Sequence, residues 1–388
     1  MMKILFVINT MKIGGTRSSL INLLHLLPYD KVEAHLLVLS PHGPYMSQID
    51  ERVKVVPATR ICEWVFSSKK DLSVPDKIGR YALAVIRKIF GDKVKYKLAA
   101  NSYSRLTAEN YDAVIGFQEG VTVNMAALLP GKTHMCWIHN DYINLGEKST
   151  GFRESFDVMN KIFFVANAAK ESFDSGYPGY SDKLQVIKNT VDIDSILEKA
   201  KEPVSDSPFK NEAIKFVSVG RVAHQKQYIR AVNTAKALNN MGISFKWIII
   251  GDGNEKSMLT EKIRNEGLEN CIEFIGARKN PYPYMSMADA LIVTSLYESQ
   301  PMVILESLLL GVPVISTDFS SAAEMLSGKE YAIICDNSDD AVTQAVTDIV
   351  NSEKLTAMKN ATKGFTYDNN AIVQNILEVI ENEVNKVH

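Results

Sequence analysis

Short apolar runs alternate with helix-period patterns from one end of this 388-residue chain to the other. In the first half the runs fall at residues 4–8, 35–39, 53–56, 113–117, 135–138, 162–165 and 185–187. In the second half they fall at 215–219, 246–250, 272–275, 291–294, 314–316 and 332–334. Parallel strands buried on both faces read as continuous apolar runs, and the helical stretches between them supply the crossovers. The pattern therefore predicts an α/β fold with two doubly wound, Rossmann-like domains. The expected division is 1–195 for the first domain, a polar linker at 196–210, 211–365 for the second, and a C-terminal helix at 366–388. Ligands of such sheets bind beyond the carboxyl ends of the strands, so a site is expected in a central cleft that both domains face.

Composition narrows the class. Apolar residues make up 46% and charged residues 23%, ordinary for a globular protein, and the net charge of −2 argues against a nucleic-acid partner. Cys62, Cys136, Cys271 and Cys335 are scattered without metal-ligand spacing, and three of them lie in apolar runs, which predicts buried reduced thiols in the cytoplasm. The run at 4–8 breaks at Asn9, too soon for a signal peptide, and no stretch approaches the length of a membrane span.

Two glutamates, Glu298 and Glu306, flank one strand-to-helix junction. Pro301 suits the first turn of a helix, Leu305, Leu308 and Leu309 give its apolar face, and Gly311 ends it before the next strand. Between the glutamates the backbone N–H groups of a helix start, near Met302 and Val303, lack partners. That is an anion site with a carboxylate on each flank, suited to a diphosphate carrying hydroxyl-rich groups at both ends. A nucleotide sugar has that form.

The stretch resembles the E-x7-E motif of the retaining GT-B glycosyltransferases, in particular glycosyltransferase family 4. The likeness continues through Gly311-Val-Pro313, Ser316-Thr-Asp318 and Glu324, and upstream in Gly220-Arg221 with Lys226, and in Gly14-Gly15. It covers nearly the whole chain, more strongly in the second half. It implies that Arg221 and Lys226 neutralise the departing diphosphate, that Glu306 binds the nucleotide ribose and that Glu298 contacts a sugar hydroxyl. It also implies a C-terminal helix that crosses back onto the first domain. Gly15, Gly220, Arg278, Ser299, Met302 and Val303 complete the expected donor site. Three departures stand out. Gln227 replaces a frequent Gly, Ser299-Gln300-Pro301 replaces a frequent Gly-Phe-Gly, and Thr16-Arg17-Ser18 replaces a common Ala-Glu-Arg. The second leaves donor identity open, and the third makes Arg17 a candidate for an acceptor phosphate.

His139 ends a strand where the resemblance implies a histidine that contacts donor or acceptor, with a purely structural histidine as the rival reading. Glu119 is a weaker acceptor candidate. Asp192-Ile-Asp194 has a metal-binding form but reads better as turn and helix-cap chemistry. Gly251-Asp-Gly253 lacks the third glycine of a dinucleotide fingerprint.

Residues 69–105 hold ten cations against three carboxylates, a net +7. Residues 77–90 read as an amphipathic helix with Ile78, Tyr81, Ala82, Val85 and Ile89 on one side and Lys77, Arg80, Arg87 and Lys88 on the other. Two readings follow: residues 77–105 meet an anionic membrane surface, or the apolar side covers the core and the cations are solvated.

The expected function is that of a retaining hexosyltransferase or related glycosyltransferase (EC 2.4 type), free of metal and other cofactors. It would move a sugar from a nucleotide-sugar donor, UDP-linked by preference, to a lipid-linked or polysaccharide acceptor in surface glycan biosynthesis. It would work in the cytoplasm, at the inner face of the plasma membrane if the basic helix docks there. The rivals are a non-catalytic sugar-nucleotide-binding subunit of a synthase complex and a UDP-sugar epimerase of GT-B fold.

Overall fold

The computed structural model describes residues 1–105, 109–140, 151–205, 207–209, 214–350 and 353–387. The chain divides into two compact units, the first built from Met1–Thr190 and the residues from Asp368 onward, the second from Val191–Tyr367.

Among its described residues, unit 1 holds seven parallel strands: β1 (Met2–Thr10), β2 (Val32–Ser40), β3 (Lys54–Val56), β4 (Ala113–Gly116), β5 (Thr133–Ile138), β6 (Lys161–Phe164) and β7 (Leu184–Val186). Their order is β3-β2-β1-β4-β5-β6-β7. Each overlaps an apolar run predicted from sequence. The period of two sorts β1 between two cores: Ile4, Phe6 and Ile8 enter one, Leu5 and Val7 the other, and all five are fully buried. At roughly 1.5–3 kcal/mol per buried side chain, this central strand anchors the sheet. The helices are α1 (Gly15–Leu26), α2 (Arg60–Phe66), α3 (Val74–Phe90), α4 (Lys93–Ser104), α5 (Val121–Ala126), α6 (Arg153–Val158) and α7 (Asn167–Gly176). The C-terminal helix Asn369–Lys386, capped by Asp368 accepting from the Ala371 N–H, sends Val373, Ile376, Ile380 and Val384 into the first of those cores.

Helix α3 settles one of the two readings of the basic segment. Ser73 caps it, and Gly91 ends it in a left-handed conformation (φ 82°). Only Leu83 is buried; Ile78, Tyr81, Val85 and Ile89 are exposed. The helix leans on the protein through Gly79, where an added Cβ would lie 2.5 Å from the Trp64 ring. The apolar stripe therefore points to solvent and does not cover the core. The expected row of cations also splits, since Arg80 bonds the Ser67 carbonyl and Arg87 pairs with Asp92 at 2.6 Å.

Among its described residues, unit 2 holds six parallel strands: β8 (Ile214–Val219), β9 (Phe245–Ile250), β10 (Ile272–Phe274), β11 (Ala290–Val293), β12 (Val314–Thr317) and β13 (Ala332–Cys335), in the order β10-β9-β8-β11-β12-β13. Its helices are α8 (Ile193–Lys199), α9 (Tyr228–Asn240), α10 (Lys256–Asn265), α11 (Tyr282–Ser286), α12 (Met302–Leu309), α13 (Ala322–Leu326), α14 (Asp339–Val350) and α15 (Lys354–Thr362). The stretch expected as linker, 196–210, begins inside α8. Ile196 packs with Val191, Met302 and Leu305, and Phe209 is buried in a unit 2 core. Two apolar anchors inside a polar stretch tie it to unit 2. Asp192 caps α8 by accepting from the Ser195 N–H at 3.0 Å, the helix-cap role expected of it. Of the thiols, Cys62 and Cys136 are buried, whereas Cys271 and Cys335 are only half-buried, contrary to expectation.

Candidate functional site

In each sheet the strand order reverses beside the first strand of the unit, between β1 and β4 and between β8 and β11. Loops leaving the carboxyl ends of two such strands diverge and open a crevice. In unit 2 those two loops carry the residues singled out by sequence.

The loop after β8 starts at Gly220, whose N–H donates to the Ile250 carbonyl at 3.0 Å. A Cβ at Gly220 would lie 2.9 Å from Lys226 Cε, so glycine lets the lysine stem pass. The loop after β9 presses against the same backbone. A Cβ at Gly251 would stand 1.9 Å from the Gly220 oxygen, and one at Gly253 2.1 Å from the Val222 oxygen. The Gly251-Asp-Gly253 pair is thereby explained as backbone packing that supports the Gly220 loop. Arg221 extends from that loop exposed, with no ion pair among the described residues.

The single turn His224–Lys226 follows, closed by Gln227 in the left-handed region (φ 48°, ψ 44°). The Gln227 Nε2 donates back to the His224 carbonyl at 2.8 Å. This turn is laced to the loop after β11. Leu296 N donates to the Gln225 carbonyl (2.8 Å), Gln225 Nε2 to the Tyr297 carbonyl (2.8 Å) and Thr294 Oγ1 to the Lys226 carbonyl (2.6 Å). Lys226 Nζ then meets Glu298 Oε1 at 2.5 Å, and Ser295 Oγ donates to the same oxygen at 2.9 Å. Both charged side chains are mostly buried, with 16% and 12% exposed. One ammonium proton goes to Glu298 and two remain for a ligand.

A second set of residues fixes the Glu298 loop from the other side. Thr317 Oγ1 donates to the Ser295 carbonyl (2.6 Å), and Ser320 and Ser321 donate to the Glu298 carbonyl (3.2 and 3.3 Å). Asn337 Nδ2 donates to the Leu296 carbonyl (3.0 Å) and the Asp318 carbonyl (3.2 Å). Arg230, on α9, bonds Asn337, the Thr294 carbonyl and Asp339. Sequence reasoning missed Arg230 and Asn337. They are 107 positions apart, and no local pattern marks such a pair.

Helix α12 begins behind Pro301 without a capping side chain, so the first N–H groups, at Met302 and Val303, point out of the helix start unpaired within it. Ser299 Oγ beside them is buried and has no hydrogen-bond partner among the described residues. One turn inside, Glu306 is 9% exposed and accepts from Tyr282 Oη at 3.2 Å. Burial pushes its carboxyl up to about 7, against the opposing pull of the Tyr282 bond. Arg278 follows β10, exposed, with its guanidinium 5.8 Å from the Tyr284 ring on α11, the helix that also carries Tyr282.

The remaining candidates lie at the equivalent edge of unit 1. Gly15 opens α1, and Arg17, in its first turn, donates Nε to the Thr10 carbonyl at 3.2 Å. Glu119 spends both oxygens on the turn after β5, accepting from His139 N (3.0 Å) and Asn140 Nδ2 (2.6 Å). This makes it a support for His139. The His139 ring, 8% exposed, lies against Phe117 and Trp137, and its Nε2 has no partner among the described residues. Burial, helped by the charge of Arg17, lowers it to about 3, so the ring is neutral at ordinary pH.

Residues 200–385 match the family described as Glycosyl transferases group 1. The second half of the chain thus carries a glycosyltransferase group 1 domain. Among similar proteins, an uncharacterised glycosyltransferase of Methanocaldococcus jannaschii is 29% identical over 38% of this chain and 37% of its own length. The amylovoran biosynthesis glycosyltransferase AmsD of Erwinia amylovora is 30% identical over 39% of this chain and 42% of its own. A Campylobacter jejuni N-acetylgalactosaminyltransferase, named for a diphospho-undecaprenol-linked acceptor, is 28% identical over 47% and 48%. The chain thus spans less than half the length of each of these relatives. Solved structures extend the likeness to the whole fold. HepE of Anabaena, in complex with UDP-glucose, superposes with a TM-score of 0.72 at 17% identity, over 98% of this chain and 100% of that one. WaaG, a glycosyltransferase involved in lipopolysaccharide biosynthesis, gives 0.67 at 13%, over 97% and 99%. The two parallel-sheet, Rossmann-like units have the GT-B fold.

Proposed function

We propose that this chain is a retaining glycosyltransferase. It moves a sugar from a nucleotide-sugar donor, UDP-linked, to a lipid-linked or oligosaccharide acceptor in surface glycan biosynthesis, and needs no catalytic metal. It works in the cytoplasm, at the inner face of the plasma membrane. The observation that carries this reading is the Lys226–Glu298 pair, held beside the buried unpartnered Ser299 Oγ and the uncapped start of α12. Cations and free amides converge there with a carboxylate on each flank. The UDP-glucose in HepE and the diphospho-undecaprenol in the name of the Campylobacter relative support the donor and acceptor classes.

In this reading the bond between the anomeric carbon and the diphosphate breaks, and its electron pair goes to the phosphate oxygen. Lys226 Nζ, Arg221 and the Met302 and Val303 amides face the charge that builds there, in a preorganised setting. The acceptor hydroxyl attacks from the same face, and its proton passes to the departing oxygen. Glu298 accepts a sugar hydroxyl, Ser299 Oγ gains the partner it lacks, and Glu306 takes the ribose. His139 and Arg17 contact donor or acceptor from unit 1, with Glu119 holding the His139 turn. No residue forms a covalent intermediate.

A panel of nucleotide sugars, screened by thermal shift and then by donor turnover with and without EDTA, tests the proposal. The expected result is stabilisation by one nucleotide family and EDTA-resistant turnover of one of its sugars, with the anomeric configuration kept in the product. Binding without turnover on any acceptor would instead make the chain a donor-binding subunit. Conversion of the donor to its epimer without acceptor would make it an epimerase. Loss of turnover in EDTA that Mg²⁺ restores would overturn the metal-free part.

A further inference from the structure

On α3, Val74, Ile78, Tyr81, Val85 and Ile89 recur at steps of four, three, four and four, and so form one stripe. All five are exposed, Ile78 at 67% and Ile89 at 68%, and Phe90 at the helix end is 70% exposed. The stripe runs for about 22 Å at the rise of an α-helix. Scattered surface apolar residues are ordinary, but a continuous row of this size marks a surface that something covers.

The flanking charges decide what covers it. Lys77 stands one turn before Tyr81 and Lys88 one turn after Val85, while Lys69 Nζ lies 5.7 Å from the Tyr81 ring. None of these three lysines has a carboxylate partner among the described residues, although Arg80 and Arg87 on the same helix are engaged. Protein–protein interfaces are depleted in lysine, because its ammonium is strongly hydrated. A lipid surface has the opposite preference. Lysine stems lie along the acyl boundary while their heads reach anionic phosphates, and a tyrosine sits at the rim.

We propose that α3 is a docking surface for an anionic bilayer. The Val74–Ile89 stripe enters the headgroup boundary, and Lys69, Lys77 and Lys88 lie on lipid phosphates. This deepens the reading of a membrane-linked acceptor, yet each can fail without the other. Vesicle binding tests the surface, and donor turnover on a short soluble acceptor tests the transfer.

The probes are vesicles of phosphatidylcholine alone and of phosphatidylcholine mixed with phosphatidylglycerol. The full chain should co-sediment with the mixed vesicles at low salt, bind the neutral ones far more weakly, and be released as salt rises. In a Tyr81→Trp variant that also carries Trp64→Phe, because Trp64 lies half-buried against Gly79 of α3, the emission should shift to the blue on the mixed vesicles only; Trp137 and Trp247 are buried in the protein and stay silent. Replacing Lys69, Lys77 and Lys88 with glutamine should weaken binding ~5-fold per lysine, ~100-fold together. An Ile78→Ser, Val85→Ser, Ile89→Ser variant should keep its Tm and its turnover of soluble substrates, since these side chains are exposed, and should lose the vesicles at every salt concentration. The proposal is overturned if the wild-type chain ignores the mixed vesicles or the serine variant binds them as well. It is equally overturned if the stripe instead drives self-association that the serine variant abolishes, without vesicle binding.

Discussion

The two sheets reverse their strand order in the same way but finish the polar groups at their carboxyl edges differently. In unit 2 the loop from Thr294 to Glu298 is bonded by the turn at Gln225–Lys226 and by Thr317, Ser320, Ser321 and Asn337. In unit 1 the equivalent edge buries Asn9 Oδ1, Gln118 Oε1 and His139 Nε2 without partners among the described residues, whereas the unit 2 edge leaves Ser299 Oγ in that state. An unmet buried polar atom costs roughly 1–3 kcal/mol. A ligand that meets such atoms recovers that cost, whereas a loop already fixed loses nothing to reorganisation when charge develops beside it. Under the proposed function, charge stabilisation falls to the unit 2 edge and ligand-dependent ordering chiefly to the unit 1 edge.

The sharpest way to break this contrast is Lys226→Ala. It removes the cation from a laced loop and leaves the fold standing, so turnover should fall about a hundredfold, on the order of 3 kcal/mol in the barrier. A folded variant with wild-type turnover would show that the diphosphate does not lie at this edge.

The next largest effect is on pH, where the two edges pull in opposite directions. Glu306 is raised in the folded chain to about 7 from an ordinary 4.5. Its contribution to stability is full below 4.5 and is lost as pH rises through about 7. The span is about 3 kcal/mol for a shift of this size. His139 is lowered from 6.5 to about 3, so its contribution is full above 6.5 and is lost as pH falls toward 3. Urea unfolding of wild type, Glu306→Gln and His139→Gln between pH 5 and pH 8 separates the two. Between pH 5 and 6.5 the two slopes oppose, so Glu306→Gln should leave stability rising with pH, and His139→Gln should leave it falling up to about pH 7. Indistinguishable pH profiles for all three would remove both assignments. Nucleotide binding gives a second reading of Glu306, because Glu306→Gln removes the ribose carboxylate and should weaken UDP at pH 8.

Much of this was legible in sequence. All thirteen strands of the described residues appear as apolar runs, since a parallel strand buried on both faces has little freedom in composition. The strand–loop–helix junction that carries Glu298 and Glu306 was legible because its signals lie within a dozen positions of one another; the donor-binding role of its residues belongs to the proposal. Other features were not. A stripe at helical spacing shows that α3 has an apolar face but not which way that face points, and here Gly79 and Leu83 seat the helix while the stripe turns outward. Gly15 itself opens helix α1, although a glycine pair reads in sequence as a loop. Arg230 and Asn337 meet only after the sheet has formed. Arg230→Met tests what that meeting is worth. It strands the Thr294 carbonyl and Asn337, so unit 2 should lose about 2 kcal/mol of stability. Turnover should fall more than donor affinity, because the loop loses its position and not its contacts. Equal loss of both would mean that Arg230 only supports the fold.

The smallest effect concerns the turn that presents Lys226. Gln227 is the only non-glycine at positive φ among the described residues. A left-handed conformation costs an L-residue roughly 1–2 kcal/mol relative to glycine. Glycine itself loses about 0.5–1 kcal/mol in chain entropy on folding. Gln227→Gly would also give up the Nε2 bond to the His224 carbonyl, which lies at the surface. The two sides nearly cancel, and Gln227→Gly should move the Tm only slightly in either direction. Gln227→Val has neither glycine's freedom nor glutamine's bond, and β-branched residues strongly resist positive φ, so it should destabilise by about 2 kcal/mol. It should also slow turnover, because the turn aims the Lys226 carbonyl at Thr294 Oγ1 and so locks Lys226 to the Glu298 loop. If Gln227→Val matches wild type in both stability and turnover, the turn is not held left-handed. The rigidity that sets the unit 2 edge apart from the unit 1 edge would then have to come from the Arg230 side alone.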